Sequence, residues 1–346
     1  MAGAERGASG ARRKGCGAVS AALMFLRRQA FAIAIILCAL SACIWPWLYD
    51  AWFGVKLMPF VGPSIQLIMF GMGTTLTAKD FAGVVKSPWS VAVGAVLQFS
   101  VMPFAALLVA RILGFEGELA AGMVLIGSVA GGMASNVIAY LARANVALSV
   151  TMTCVSTLLS PFVTPLLMKS LAGTFVEIDA VRMMIEMIKI VIIPVGAGYL
   201  VRTALGRRYE THKRPIDAVL QAIAMFGICF SLVVCVAPNS EKLKAAGVVI
   251  LLSSVLHTAI GYSLGYWISR LLGLFLPIDE RDARTVAIEV GMQNGGMAAA
   301  LAVNVLGSSV AALPANAAAV WMNLSGSMLA NYWNKRPPKG AKGEDR

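Results

Sequence analysis

Two Gly- and Asn-rich interruptions, Gly127–Asn136 (GSVAGGMASN) and Glu289–Gly296 (EVGMQNGG), break two long apolar runs about 158 positions apart. Lipid gives an unpaired backbone N–H or C=O no partner. Helix-breaking sequence at membrane depth therefore survives only against protein or a water-filled cavity. Two such breaks in corresponding halves of a chain point to the binding site of a secondary transporter.

The 346 residues are 58% apolar and 13% charged, well under the roughly 25% charged residues of a soluble domain. That balance describes an all-α polytopic membrane protein. Ten apolar spans are legible, approximately 30–49, 57–77, 88–113, 118–142, 146–171, 181–203, 215–236, 246–272, 283–306 and 309–333. Each meets the ~20 residues that one crossing of the hydrocarbon core requires.

A net charge of +12 would point to nucleic acid in a soluble chain. Here its placement argues otherwise. With the N-terminus placed in the cytoplasm, 22 of the 29 Lys and Arg fall in the N-terminal segment, the even-numbered connections and the C-terminal tail. The seven elsewhere are Lys56, Arg111, Lys169, Arg182, Lys189, Lys242 and Lys244. Such asymmetry is the positive-inside pattern, so both termini are expected in the cytoplasm and no nucleic-acid partner is implied. The partner is the lipid bilayer of a cell membrane.

A basic leader followed by Phe31–Leu40 and Cys43 resembles a lipoprotein signal, but the apolar run continues through Ile44–Leu48 and nine spans follow. An uncleaved first helix is the expectation. The six cysteines form no C-x-x-C pair, and His212 and His257 share no local motif, so no metal site is supported.

Spans one to five end near Ser170, and spans six to ten begin near Val181. Five is odd, so a duplicated second half must lie upside down in the membrane, and the fourth span of each half holds its break. The fold expected is ten transmembrane helices in two inverted five-helix repeats, at approximately 30–171 and 181–333, within a transporter domain at 26–334. Residues 1–25 and 335–346 read as cytoplasmic tails. The basic segment Arg202–Arg214 reads as a solvated loop.

Glu289 is the most exceptional residue. An acid inside a membrane span costs at least about 2.5–3.5 kcal/mol near the centre unless it is paired or hydrated. Its sequence neighbours are amides, Gln293 and Asn294, and no Lys or Arg is closer than Arg284. A carboxylate among neutral oxygen donors suits a monovalent cation, although a structural ion pair would also explain it. In span five, Ser149, Thr153 and Ser156 fall on one helix face. Hydroxyls in membrane helices often only bond the carbonyl four residues back, yet with Ser135 and Asn136 close by they could wall an oxygen-lined site. Gln98, isolated in an apolar stretch, is a similar candidate.

Other motifs carry less. Gly261–Gly265 (GYSLG) matches the hydrolase G-x-S-x-G pattern with His257 nearby, but that motif needs a strand–turn–helix elbow. In a long apolar helix its glycines read as a packing face. No Walker sequence is present, which argues against direct ATP coupling. Glu186 and Lys189, three apart, read as a local pair.

At Gly71–Phe81 (GMGTTLTAKDF), Gly131–Ile138 (GGMASNVI), Leu148–Thr153 (LSVTMT) and above all Glu289–Asn294 (EVGMQN), the chain resembles the bile acid:sodium symporter family. The similarity runs over roughly residues 30–334. It implies a panel domain and a core domain, with discontinuous helices 4 and 9 crossing in the core. Carried onto matching positions, it implies one sodium site at Ser135, Asn136, Ser149, Thr153 and Glu289. A second would use Gln98 and Gln293, with Glu289, Val290 and Met292 around the unwound backbone. Substrate would lie near Gly132, Met133, Ala134, Asn294 and Asn323. Where the family usually reads PGGT before ASN, this chain has Ala130, Gly131, Gly132 and Met133, so a hydroxyl is lost beside the substrate.

Half-helix N-termini carry partial positive charge, which favours an anionic substrate. The function implied is a sodium-coupled symporter importing an organic anion by alternating access. The substrate would be a small carboxylate or a bile-acid-like or sulfated anion. Two sodium ions would serve as coupling ions, with no other cofactor, in a monomer. An ion-gated sensor on the same fold and an intramembrane hydrolase are the alternatives.

Overall fold

The computed structural model of the chain describes residues 33–338. Helix α1 (Ile33–Ile44) leads through a 3-10 turn, Pro46–Tyr49, into a hairpin of β1 (Ala51–Trp52) and β2 (Val55–Lys56). Phe53 and Gly54 turn the hairpin with φ of 51° and 80°, the positive pair that a tight two-residue turn requires. Phe53, Trp45, Trp47 and Trp52 are all exposed, as aromatic rings at a membrane–water interface are.

The remainder is helical: α2 (Val61–Thr75), α3 (Ala78–Lys86), α4 (Pro88–Ile112), α5 (Gly117–Ser128), α6 (Ala134–Leu141) and α7 (Val146–Leu167). After them come α8 (Ala180–Met187), α9 (Ile193–Leu205), α10 (Arg207–Thr211), α11 (Lys213–Val236), α12 (Ser240–Leu272), α13 (Glu280–Gly291), α14 (Gly295–Asn304) and α15 (Ala312–Asn334). A π turn at Ile188–Ile192 joins α8 to α9. It lies just ahead of Pro194, whose missing N–H frees the carbonyl of Ile190.

By length and apolar composition, Pro88–Ile112, Val146–Ala172, Ala180–Leu205 and the stretch Pro215–Leu272 are sufficient to cross a membrane. Large apolar side chains point outward along them, among them Val96, Phe104, Ile112, Val181 and Trp267. In water so much exposed apolar surface would drive association; in lipid it is the solvated face.

Within the described residues, each expected apolar span overlaps a helix or a helix–break–helix unit, residues 30–32 of the first lying outside them. The two broken spans divide into pieces of 12 and 8 residues, α5 and α6, and of 12 and 10, α13 and α14. None of these pieces alone covers a core about 30 Å thick at about 1.5 Å per residue. The basic segment after α9 departs from the loop expected there. It is largely helical, because α10 fits between α9 and α11 and the Arg202 side chain is held against the end of α2.

Small residues allow close helix contact. A Cβ on Gly73 would lie 2.1 Å from the Val195 carbonyl oxygen, and one on Gly198 2.1 Å from that of Phe70, so α2 and α9 touch through backbone. Gly261 and Gly265 do the same for α12 against α13, where a Cβ would come within 2.8 Å of the Gly291 Cα and 2.9 Å of the Ala287 Cα. The glycines of the GYSLG motif are therefore packing residues. Ser263 between them is exposed, and His257 Nε2 bonds the Met102 carbonyl at 3.1 Å. Glu186 and Lys189 pair at 2.8 Å, as their spacing predicts.

The cysteines described, Cys38, Cys43, Cys154, Cys229 and Cys235, are free thiols. Cys16, the expected tail 1–25 and residues 339–346 of the expected tail 335–346 lie outside the described residues. Arg336 stacks over the Tyr332 ring at 4.0 Å.

Candidate functional site

The two breaks meet each other. Each interruption frees backbone groups that lipid cannot satisfy, and here they pair reciprocally. Gly132 N–H donates to Met292 O at 2.8 Å, and Asn294 N–H donates to Ala130 O at 2.9 Å, forming a short antiparallel bridge centred on Gly131 and Gln293. Gln98 Nε2 donates to Val129 O at 2.8 Å. Asn294 Oδ1 caps α14 by accepting from Met297 N–H at 3.0 Å. The glycines are needed for the approach, since a Cβ on Gly132 would sit 2.8 Å from the Gln293 carbonyl oxygen.

Glu289 lies against this crossing and is 2% exposed. Ser135 Oγ donates to its Oε1 at 2.5 Å, Ser149 Oγ reaches the same oxygen, and Thr153 Oγ1 donates to Oε2 at 2.8 Å. Ser149 Oγ also lies 2.8 Å from Asn136 Oδ1. The five residues expected at one ion site are thus brought together from α6, α7 and α13.

Each hydroxyl has a single hydrogen but faces two acceptors. Ser135 Oγ is also 2.7 Å from Gly132 O, and Thr153 Oγ1 is also 3.0 Å from Ser149 O. Three hydroxyl protons are shared among five acceptors: both Glu289 oxygens, Asn136 Oδ1, Gly132 O and Ser149 O. The surplus of oxygen lone pairs is what a hard cation takes up, and one carboxylate balances one positive charge. Among the described residues no ion pair includes Glu289. Arg284 is held by Glu280 at 3.0 Å instead.

The stripe on α7 divides. Ser149 and Thr153 face Glu289, whereas Ser156 Oγ donates only to Thr153 O at 3.1 Å, the local back-bond. The residues expected at a second ion site also meet. Gln98 Nε2 donates to Gln293 Oε1 at 2.5 Å, and Gln293 Nε2 donates to Val290 O at 2.6 Å. A void of about 10 Å³ lies between Gln98, Ser156 and Glu289, close to the space one water needs.

Gly132, Met133, Ala134, Asn294 and Asn323 line a single cavity of about 90 Å³ at the N-termini of α6 and α14. The Asn323 amide donates to the carbonyl of Ala319, which lines the same cavity, at 2.7 Å. A larger cavity of about 520 Å³ shares Met133 and Ile68 with the first, and it also touches Asn136 and Thr153. It opens between α2, α9 and α11 on one side and α6 and α7 on the other, toward Thr77, Arg202 and Lys213.

Sequence reading missed this mouth. Arg202 Nη1 donates to Thr75 O at 2.6 Å and Leu76 O at 3.1 Å, and Nη2 meets Glu210 at 2.9 Å. The guanidinium holds the Glu210 carboxyl below its ordinary range. Ser90, Asn145 and Asp282 were missed as well. The available signal was the position of Asn145 directly ahead of an apolar run, where an N-cap belongs.

A buried, oxygen-lined crossing of two broken helices inside an apolar helical protein defines a class: a multi-pass membrane transporter, not an enzyme. Residues 63–246 match the sequence profile described as the Sodium Bile acid symporter family. The chain is 38% identical over 313 residues to the uncharacterized sodium-dependent transporter YocS of Bacillus subtilis (strain 168), covering 90% of this chain and 92% of that one. It is 35% identical over 276 residues to the probable sodium/metabolite cotransporter BASS1, chloroplastic, of Arabidopsis thaliana, covering 80% and 67%. To the corresponding BASS2 protein of Oryza sativa subsp. japonica it is 34% identical over 277 residues, 79% and 63%. The chain belongs to the sodium bile acid symporter family.

Proposed function

We propose that the chain is a symporter that uses two sodium ions to import an organic anion by alternating access. The observation that carries this reading is the excess of oxygen acceptors around Glu289, with no cationic side chain to absorb it. The first ion would bind Glu289, Asn136, Ser135, Ser149 and Thr153. The second would use Gln98, Gln293 and the backbone from Glu289 to Met292, beside the small void. Because Glu289 touches both, the ions and the crossing would form one electrostatic unit.

The substrate would occupy the space lined by Gly132, Met133, Ala134, Asn294 and Asn323, continuous with the larger cavity. Two helix N-termini face it and favour a carboxylate or sulfate. The apolar lining, Ile68, Met72 and Leu220 among it, suits the body of a small organic acid or a bile-acid-like anion. The names of the plant relatives, sodium/metabolite cotransporters, fit that class.

In this reading α2, α9 and α11 belong to a panel, and α4–α7 with α12–α15 form a core, within ten spans arranged as two inverted five-helix repeats. The protein acts as a monomer in the cell membrane with both termini in the cytoplasm. The larger cavity, ringed at its mouth by Arg202 and Lys213, then opens inward.

Replacing external sodium with choline at constant pH is expected to abolish concentrative uptake into proteoliposomes. Full uptake driven by a pH gradient alone would overturn sodium coupling, and substrate binding without any uptake would favour a sensor. Thr153→Ala is expected to raise the sodium concentration for half-maximal uptake about tenfold. A hydrogen bond to a charged group contributes about 1.5–3 kcal/mol, and each 1.4 kcal/mol is about a factor of ten in affinity. Unchanged sodium dependence would reduce Thr153 to ordinary back-bonding.

A further inference from the structure

On the reading that Glu289 and its neighbours bind sodium, we infer that Asp282 is a positioning residue for that ion. Its carboxylate ties together the first turns of α4, α7 and α13, the three helices that carry Gln98, Ser149 with Thr153, and Glu289. Asp282 is only 8% exposed. Ser90 Oγ, in the first turn of α4, donates to Asp282 Oδ2 at 2.6 Å. Asn145 Nδ2 donates to Asp282 Oδ1 at 2.8 Å.

Asn145 is the N-cap of α7. Its Oδ1 accepts from Leu148 N–H at 3.1 Å while its own N–H donates to Thr285 Oγ1 at 2.9 Å. The α7 and α13 termini are therefore joined at two points. Asp279 Oδ1 in turn accepts from Asp282 N–H at 2.8 Å, capping α13.

The spacing along each helix matches. Ser90 precedes Gln98 by eight residues, Asn145 precedes Thr153 by eight, and Asp282 precedes Glu289 by seven. At 3.6 residues per turn, seven residues return to within about 20° of the starting face and eight overshoot it by about 80°, in each case about 10–12 Å along the axis. The bracket at Asp282 consequently fixes the axial register of the three helices at the level of Glu289, about two turns further on.

Asp282 also meets a local field of one sign. Three helix N-termini converge there, each with about half a positive charge, and together they repel one another and any cation. The Asp282 carboxylate, with that of Asp279 at the α13 cap, offsets that repulsion, and it accepts from two of the three helices. Arg284, two residues along, does the reverse for helices that end on this side. Its guanidinium donates to Ala142 O at 3.4 Å, just past α6, and to Trp333 O at 3.3 Å and Arg336 O at 2.8 Å at the end of α15. Opposite helix ends thus meet opposite charges on opposite sides of one turn of α13.

The test is a sodium titration at constant ionic strength, with choline chloride as the balance, on purified full-length protein in detergent. The readout is the sodium concentration giving half the maximal rise in Tm. Asp282→Ala is expected to raise that midpoint about tenfold, the scale on which groups behind the direct ligands act. Asp282→Asn keeps the shape and an acceptor for Asn145 but loses the charge and the second acceptor oxygen, so it should recover only part of the loss. A merely structural Asp282 would lower the sodium-free Tm in Asp282→Ala and leave the midpoint in place, which would overturn the inference.

Should Asp282→Ala not fold, Ser90→Ala and Asn145→Ser decide the question. The serine still caps α7 but is too short to bridge to Asp282. Raised midpoints support the bracket, and unmoved midpoints in both overturn it. A wild-type protein with no sodium-dependent shift would overturn the sodium reading together with this one. A normal wild-type shift beside an unmoved Asp282→Ala midpoint would overturn this one alone.

Discussion

Glu289→Gln is expected to abolish the sodium-dependent stabilisation of the protein while leaving a folded, monodisperse species in detergent. The amide keeps the size of the side chain and one carbonyl oxygen, but it loses the charge that balances the cation. It also replaces an acceptor oxygen with an N–H₂ group, so a hydroxyl that now donates to the carboxylate, such as Thr153 Oγ1 to Oε2 at 2.8 Å, must accept instead, and one oxygen able to bind the ion is lost. The wild type gains stability by mass action, about 2.7 kcal/mol when sodium stands at 100 times its Kd. The mutant should gain almost nothing over the same range, because both proposed sites include this residue. The fold itself should tolerate the change, since a neutral group avoids the cost of an intramembrane charge. Thermal melts of both proteins in NaCl and in choline chloride make the measurement. A full sodium-dependent shift in the mutant would show Glu289 to be structural and remove the coupling mechanism proposed above.

Gly132→Ala is expected to be nearly as damaging, for a steric reason. The added methyl would lie 2.8 Å from the Gln293 carbonyl oxygen and 3.3 Å from its carbonyl carbon. These neighbours are backbone, not the end of a flexible side chain, so the two breaks must move apart. Overpacking of this kind costs about 1–3 kcal/mol, and borne by the bound geometry it is about a 5- to 150-fold loss of affinity. Sodium-driven uptake should fall accordingly, and the sodium midpoint in a thermal titration should rise. A Gly132→Ala protein with the wild-type midpoint would mean that the crossing is plastic and that its geometry does not set ion affinity.

Those parts of this protein that rest on local physics were legible in its residues. Apolar run length marked the helices, because each must bury its backbone polar groups within itself in lipid. Gly and Asn clusters marked the two breaks, and Glu289 stood out because an acid in a span is costly wherever the chain goes. The i, i+4 spacing placed Ser149 and Thr153 on one face. That face also included Ser156, and nothing local separates it from the others; only the approach of α13 leaves Ser156 to back-bonding.

Tertiary structure decided which groups meet. The bridge between Gly131 and Gln293 joins residues far apart in the chain, and no periodicity in either segment encodes the other as its partner. Arg202 joins α10 to the end of α2, meeting Glu210 at 2.9 Å and the Thr75 carbonyl at 2.6 Å, contacts that no local pattern in Arg202–Arg214 encodes. The bracket at Asp282 is of the same kind. Ser90, Asn145 and Asp282 look individually like ordinary helix-start residues, each fit to satisfy its own terminus. Their joint role exists only because three helix N-termini converge at one place, where like partial charges require a common counter-charge.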